Sequence, residues 1–310
     1  MSEMRGEVFV QPPTDPEDFV PSDEDVAVLD GRVPQLHLSL DRKVSPDGWY
    51  QDRKSRWVPT VPNSFGLPAG ESCPGKTEFC NDCYAVNSER SKGVKEAMDH
   101  NLRLLKEAGT VDAMSELLTD GVHMFEKIAD RRDVPKQGRM FRVHWDGDFF
   151  SVDYAKAWAK TMRLFPNITF WAYTRSFVEP VDVLPELVDV PNLALYLSTD
   201  KYNVDAAHEM LQRYPGRLNL AACDNNFVEA RDLVRGRRAV VCPENLGRFA
   251  LMNRSRHDES RGEGACVRCN LCPQSKADII FSTQQSHVAQ IPLFGVPVEL
   301  IKRPVDVKVS

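Results

Sequence analysis

From residue 139 onward, short apolar runs alternate with stretches whose apolar positions recur every three or four residues. The runs "MFRVHW" (140–145), "ITFWAYT" (168–174), "LALYLST" (193–199), "RLNLAAC" (217–223) and "RAVVCP" (238–243) predict five strands. They lack strict polar alternation, as strands do when both faces are covered. Between them, "SVDYAKAWAKTMRLFPN" predicts a helix capped by Ser151, "VDVLPELVDV" a broken helix, and "NVDAAHEMLQRYPG" and "NFVEARDLVRG" two more. "ADIIFST" (277–283) is a possible sixth strand. Upstream, "NSERSKGVKEAMDHNLRLLKEAG" and "TVDAMSELLTDGVHMFEKIADRR" carry helical periodicity, with Gly109 as a stop between them. "HLSLDRKV" and "RWVPTVPNSFGLPAG" suggest extended segments broken by Pro and Gly.

A strand–helix alternation of this kind predicts an α/β fold with a parallel sheet and right-handed crossovers, open or curled into a barrel. The reading divides the chain into an acidic N-terminal extension (1–55), an αβ domain (56–245) and a C-terminal segment (246–310). Parallel αβ folds place their chemistry at the carboxyl ends of strands. Here those ends read "WDGDFFS", "YTRS", "LSTD", "ACDNN" and "VCPEN".

Charge changes the picture at one end. Residues 1–30 hold nine acids against one base, Arg5, so this tail carries −8 of a chain whose net charge is −6. The remainder is +2, which does not advertise a nucleic-acid surface. Basic patches at Arg235, Arg237 and Arg238, and at Arg254 and Arg256, are read as solvated faces. With its prolines, the tail is expected to be a solvated extension. No run of about 18 apolar residues is present, so no membrane span is expected. The acidic start is unlike a signal peptide, which makes the cytoplasm the expected compartment. Thiols stay reduced there, and clustered cysteines point to metal or catalysis rather than disulfides.

Six of the eight cysteines fall in two groups: Cys73, Cys80 and Cys83 in "SCPGKTEFCNDCYA", and Cys266, Cys269 and Cys272 in "CVRCNLCPQ". The C-x2-C-x2-C run resembles that of bacterial ferredoxins, whereas a single Zn2+ more often takes C-x2-C twice. Cys242 can supply a fourth ligand to the second group. The first group lacks a fourth thiol unless Cys223 completes it; Cys223 equally suits a buried small hydrophobe. A [4Fe–4S] cluster on three thiolates would keep one iron open, as catalytic metal sites do and structural ones do not. One or two such clusters are therefore expected.

At the strand ends, Asp146 and Asp148 flank Gly147. A carboxylate there could hold an ammonium group and the glycine would admit close backbone approach, or the three could form a tight turn. Arg175 could pair with a carboxylate or phosphate, or form a surface salt bridge. Ser198 and Asp200 could hydrogen-bond a ribose, or form a turn. His144 reads as a hydrogen-bonded interior histidine, and His287 has no inferred role. No Walker loop, G-x-G-x-x-G, G-x-S-x-G, H-E-x-x-H or zinc-deaminase pattern occurs.

Three cysteines in a loop before a helix, an αβ repeat, "GDFFS" after the next strand and a second cysteine group look like the radical S-adenosylmethionine superfamily. More narrowly, "FGLPAGESCPGKTEFCNDCYA", "VHWDGDFFS" and "ACVRCNLCPQ" resemble the phage-encoded gene-product-88-like proteins, an iron–sulfur group, across roughly residues 60–285. The superfamily resemblance implies a partial (β/α)6 barrel of parallel strands and a [4Fe–4S] cluster at Cys73, Cys80 and Cys83. Its open iron would take S-adenosylmethionine, cleaved reductively to a 5′-deoxyadenosyl radical. It also implies an external electron donor, a small-molecule or nucleotide substrate and, for a phage-encoded protein, a place in the host cytoplasm. The spacing here is C-x6-C-x2-C rather than the common C-x3-C-x2-C, Tyr84 follows the last cysteine instead of preceding it, and Asp146-Gly147-Asp148 stands where the superfamily has Gly-Gly-Glu. Two other readings follow from the cysteines: an iron–sulfur protein that transfers electrons or senses redox state, and a zinc-stapled binding protein.

Overall fold

The computed structural model describes residues 17–18, 27, 29, 33–44, 49–51, 57–59, 61–83, 85–131, 133–134, 139–248 and 264–283. Tyr84, Arg254, Arg256, His287 and most of the acidic tail lie outside them. Six parallel strands form the central sheet: β1 (Met140–Arg142), β2 (Thr169–Thr174), β3 (Leu193–Thr199), β4 (Asn219–Asp224), β5 (Ala239–Val241) and β6 (Asp278–Ser282). The helices are α1 (Lys92–Ala108), α2 (Val111–Arg131), α3 (Val152–Leu164), α4 (Leu184–Leu187), α5 (Val204–Arg213), α6 (Phe227–Asp232) and α7 (Ala265–Cys269).

Local chemistry sets these boundaries. Ser151 caps α3 by accepting from Tyr154 N at 3.1 Å. Asn226 caps α6 by accepting from Val228 N and Glu229 N, both at 3.0 Å. These are the orphan amides that a helix start leaves exposed. Gly109 ends α1 with a left-handed φ of 68°, a conformation that costs glycine little. Where a broken helix is expected over 181–190, the chain first makes a small antiparallel hairpin, Phe177–Val178 with Val181–Asp182, and only then the short α4.

The strand order is β1-β2-β3-β4-β6-β5. The expected parallel α/β sheet is present, and two of its features bear on the expected partial barrel. The sheet is open, with β1 and β5 at its margins and no pairing between them among the described residues. The strands also do not follow one another in sequence. The crossover through α6 sets β5 two positions beyond β4, and β6, the possible extra strand, fills the slot between them. Beyond β1, Ser64 makes a single parallel bridge to Arg142 and an antiparallel one to Ser39.

Side chains alternate between the two sheet faces, as pleating requires. Phe170 and Ala172, Leu195 and Leu197, and Leu220 and Ala222 pack into the larger core with α2, α3 and α5. Trp171, Ala194, Tyr196, Ala221, Val240 and Ile279 form a second core on the opposite face. No helix from α1 to α6 contributes to that second core; Val44, Leu271 and Ala277 cover it. A helical turn at Arg42–Val44 packs against both β1 and α7. Among the described residues, no helix is long and apolar enough to cross a membrane. Of the basic patch, Arg237 forks onto Asp278 with contacts of 2.6 and 3.1 Å, and Arg235 pairs with Asp205.

Candidate metal centre

The first cysteine loop lies across the carboxyl ends of β1 to β3. Ser72 Oγ donates to Pro68 O at 2.8 Å and accepts from Asp148 N at 3.3 Å, tying the loop to the turn after β1. Gly147 turns there with φ +79°, and a Cβ at that position would come within 2.5 Å of Ser72 Oγ. Gly75 sits so close to the end of β2 that a Cβ would meet Arg175 O at 1.9 Å. Further along, Thr77 Oγ1 donates to Asp200 Oδ2 at 2.7 Å. The 310 turn Glu78–Asp82 carries Cys80, and Cys83 N closes it by donating to Cys80 O at 3.1 Å.

The strand-end residues separate into committed and free. Asp148 is buried and fully engaged: Thr174 Oγ1 and Phe149 N donate to Oδ1, and Arg175 N to Oδ2, all at 2.7 Å. Arg175 pairs through its guanidinium with the buried Asp200 and lies 6.0 Å from the Phe79 ring centre. Asp200 also accepts from Tyr202 N at 2.7 Å. Arg175 and Asp200 thus neutralise each other beneath the loop. The Ser198 carbonyl accepts from Asn203 Nδ2 at 3.0 Å. Asp146 differs. Its Oδ1 accepts from Gly147 N at 2.7 Å, while the buried Oδ2 has no hydrogen-bond partner among the described residues.

Burial pushes the Cys73 thiol up to about 12, with Asp148 and Asp146 adding to the effect. Burial likewise raises Cys83, helped by Asp146 and Cys80. Asp146 itself is pushed up to about 7, by burial first and Glu89 second. Burial raises Asp148 to about 6 despite the three donors on its oxygens.

The second group sits on the face of the sheet that carries the second core. Cys242 follows β5, Cys266 and Cys269 lie one turn apart on α7, and Cys272 comes after a left-handed Asn270 (φ 51°) that turns the chain back. All four thiols pack against the second core. Burial raises Cys266 well above its ordinary range, and Cys272 and Cys242 add to this. Cys272 is raised by burial and then by Cys242 and Cys269. Four thiols that oppose one another's ionisation occupy one interior, and two cations lie beside it. Lys43 pairs with Glu244 at 3.0 Å; burial opposes its charge, but Glu244 and Cys266 together hold its pKa above the ordinary value. Arg142 pairs with the buried Asp41 at 2.8 Å and acts on Cys272. Tyr173 and Tyr196 line the same space, their hydroxyls raised by burial and then by Cys272.

Sequence reasoning passed over Lys43, Asp41, Arg142 and the two tyrosines. Arg142 was the visible signal, a charge in an otherwise apolar strand at an inward position. Lys43 had none, since it reaches the site from far along the chain.

Cys223 lies on β4 in register with Phe281; burial pushes its thiol up to about 12, Arg175 opposes the rise, and Asp224 and Asp200 add to it. Among the described residues, no set of three or more Cys, His, Asp or Glu side chains is arranged around a single metal ion. One Zn2+ would draw its thiolates to within about 3.8 Å of each other, given Zn–S bonds of about 2.3 Å in a tetrahedron. A polynuclear iron–sulfide cluster spreads its thiolates farther apart. The second group brings four thiols to one apolar enclosure, a donor type that zinc and iron–sulfur clusters both accept.

The molecule is thus an α/β protein with a six-stranded parallel sheet, one cysteine group at its carboxyl edge and another against its second core. Residues 40–275 match the family described as Gene product 88, and the chain belongs to that family. It is 39% identical over 253 residues to the Gene 88 protein of Mycobacterium phage L5, covering 80% of this chain and 98% of the relative. The Gene 88 protein of Mycobacterium phage D29 is 39% identical over 256 residues, with the same coverage. No solved structure matches the chain.

Proposed function

We propose that this protein is an iron–sulfur enzyme of the radical S-adenosylmethionine kind. Cys73, Cys80 and Cys83 would hold a [4Fe–4S] cluster with one iron lacking a thiolate, and Cys242, Cys266, Cys269 and Cys272 a second, fully thiolate-bound cluster. The observation that carries this reading is the contrast between the groups: four thiols packed together on the second core, against three in a loop fastened at the carboxyl edge of the sheet. A cluster held by Cys73, Cys80 and Cys83 would supply one-electron chemistry for the reductive cleavage of S-adenosylmethionine, its electron coming from an external donor.

The chain's own part is positioning and exclusion. Ser72, Gly75 and Thr77 fasten the loop to Asp148, Arg175 and Asp200, which fixes three thiols over the strand ends. The neutral Arg175–Asp200 pair leaves Asp146 as the edge carboxylate with an oxygen to spare for an ammonium group. An open parallel sheet is what a partial (β/α)6 barrel would present, although its strand order would then be a variant. An electron donor and a small-molecule or nucleotide substrate complete the scheme, in a cytoplasm where thiols stay reduced.

Anaerobic purification tests the reading. About eight iron and eight sulfide per chain are expected for two cubanes. Incubation with S-adenosylmethionine and a strong reductant is expected to release 5′-deoxyadenosine. Colourless protein carrying zinc would replace this proposal with the zinc-stapled one. Iron without nucleoside release would leave an electron-transfer or redox-sensing protein.

A further inference from the structure

Three carboxylates meet the first cysteine loop, and the structure treats one of them differently. Asp148 has donors on both oxygens, and Asp200 is held by Arg175, Thr77 and Tyr202 N. Asp146 is 4% exposed, yet its Oδ2 meets no donor among the described residues. A buried acceptor left unmatched is costly and calls for a ligand. Its backbone is not free to relieve this, because Asp146 O accepts from Leu67 N at 3.0 Å and Gly147 is wedged against Ser72 and Leu67. The turn that carries Asp146 packs against the cysteine loop: Gly147 is wedged against Ser72 Oγ, which lies 3.9 Å from Cys73 Sγ, and Asp146 opposes the ionisation of both Cys73 and Cys83.

We propose that Asp146 is the fourth ligand of the first site, binding through Oδ2 the iron that Cys73, Cys80 and Cys83 leave without a thiolate. The proposal rests on the iron–sulfur reading of that site. A carboxylate is a harder donor than a thiolate and holds iron more weakly. The corner is therefore closed at rest and opens to an incoming chelating ligand, with Asp146 released to pair with that ligand's ammonium group. An iron kept capped in this way is also shielded from loss.

The test uses the full chain, purified anaerobically, and cyanide as the probe ligand, followed by electron paramagnetic resonance of the reduced protein. Iron and sulfide content are measured first; absence of both would sink the iron–sulfur reading before Asp146 is addressed. With iron present, Asp146→Asn is expected to bind cyanide about tenfold more tightly than the wild type. Asp146→Cys is expected to bind none and to show the spectrum of an all-thiolate cluster. If Asp146→Asn instead loses the iron of the first site, recovery of that iron in Asp146→Cys also supports ligation. Equal cyanide affinity in wild type and Asp146→Asn, or iron lost in both variants, overturns it.

Discussion

His144 is enclosed by Phe65, Phe149, Tyr154 and Trp158, with its ring centre 4.7 Å from that of Phe149. Its Nε2 meets the Tyr154 hydroxyl at 3.0 Å, and its Nδ1 has no partner among the described residues. Burial, and then Arg142, lower its pKa to about 3. Above the ordinary value of 6.5 the ring is neutral whether the chain is folded or not. Below it the unfolded chain takes up a proton that the folded chain refuses, so stability falls as pH drops towards the folded value. Between about pH 7.5 and pH 5, roughly 2 kcal/mol is at stake. Asp146 and Asp148, both raised, act in the opposite direction, so the comparison must be with a variant. Urea unfolding at those two pH values is expected to show a smaller acid-side loss in His144→Phe than in the wild type. Equal losses would mean that His144 charges freely in the fold.

At the scale of elements, the loop 72–83 depends on Gly75 more than on any hydrogen bond. Even the smallest side chain there would enter the backbone of Arg175, so Gly75→Ala must lift the loop from the end of β2. The expected result is that iron per chain falls by about half, the share of the first of two cubanes, while the sheet's circular dichroism is unchanged. Retention of all the iron would show that the loop does not need its seat. How far such elements can be read from sequence differs with the kind of information each carries. The strands over 193–199 and 169–174 were legible because continuous apolar runs bounded by turns leave few alternatives, and the caps at Ser151 and Asn226 are local chemistry. The grouping of Cys266, Cys269 and Cys272 was visible in their spacing, and Cys242 at a strand end was a natural fourth. The commitment of Arg175 to Asp200 was hidden, since either residue alone looks available to a ligand. So was the position of β6, because nothing within "ADIIFST" tells which neighbours it will take.

For the whole molecule, the second cysteine group joins parts of the chain that the sheet alone would leave loosely connected. The turn at Arg42–Val44, the end of β5 and α7 meet around it. Binding a cofactor there is equivalent to adding folding energy, because the unfolded chain has no such site. Cys266→Ser is expected to lower the thermal midpoint by several degrees and to remove about half the iron. An unchanged midpoint would mean that α7 holds its place through apolar packing alone. The insertion of β6 between β4 and β5 also imposes a timetable on synthesis. The strand at Ala239–Val241 emerges from the ribosome before the neighbour it requires, and with β4 already seated against β3 it must wait, unpaired, until residues 278–282 arrive. Because residues 278–282 follow Cys266, Cys269 and Cys272 in the chain, the margin of the sheet formed by β5 and β6 can be completed only after the segment bearing those thiols has been made.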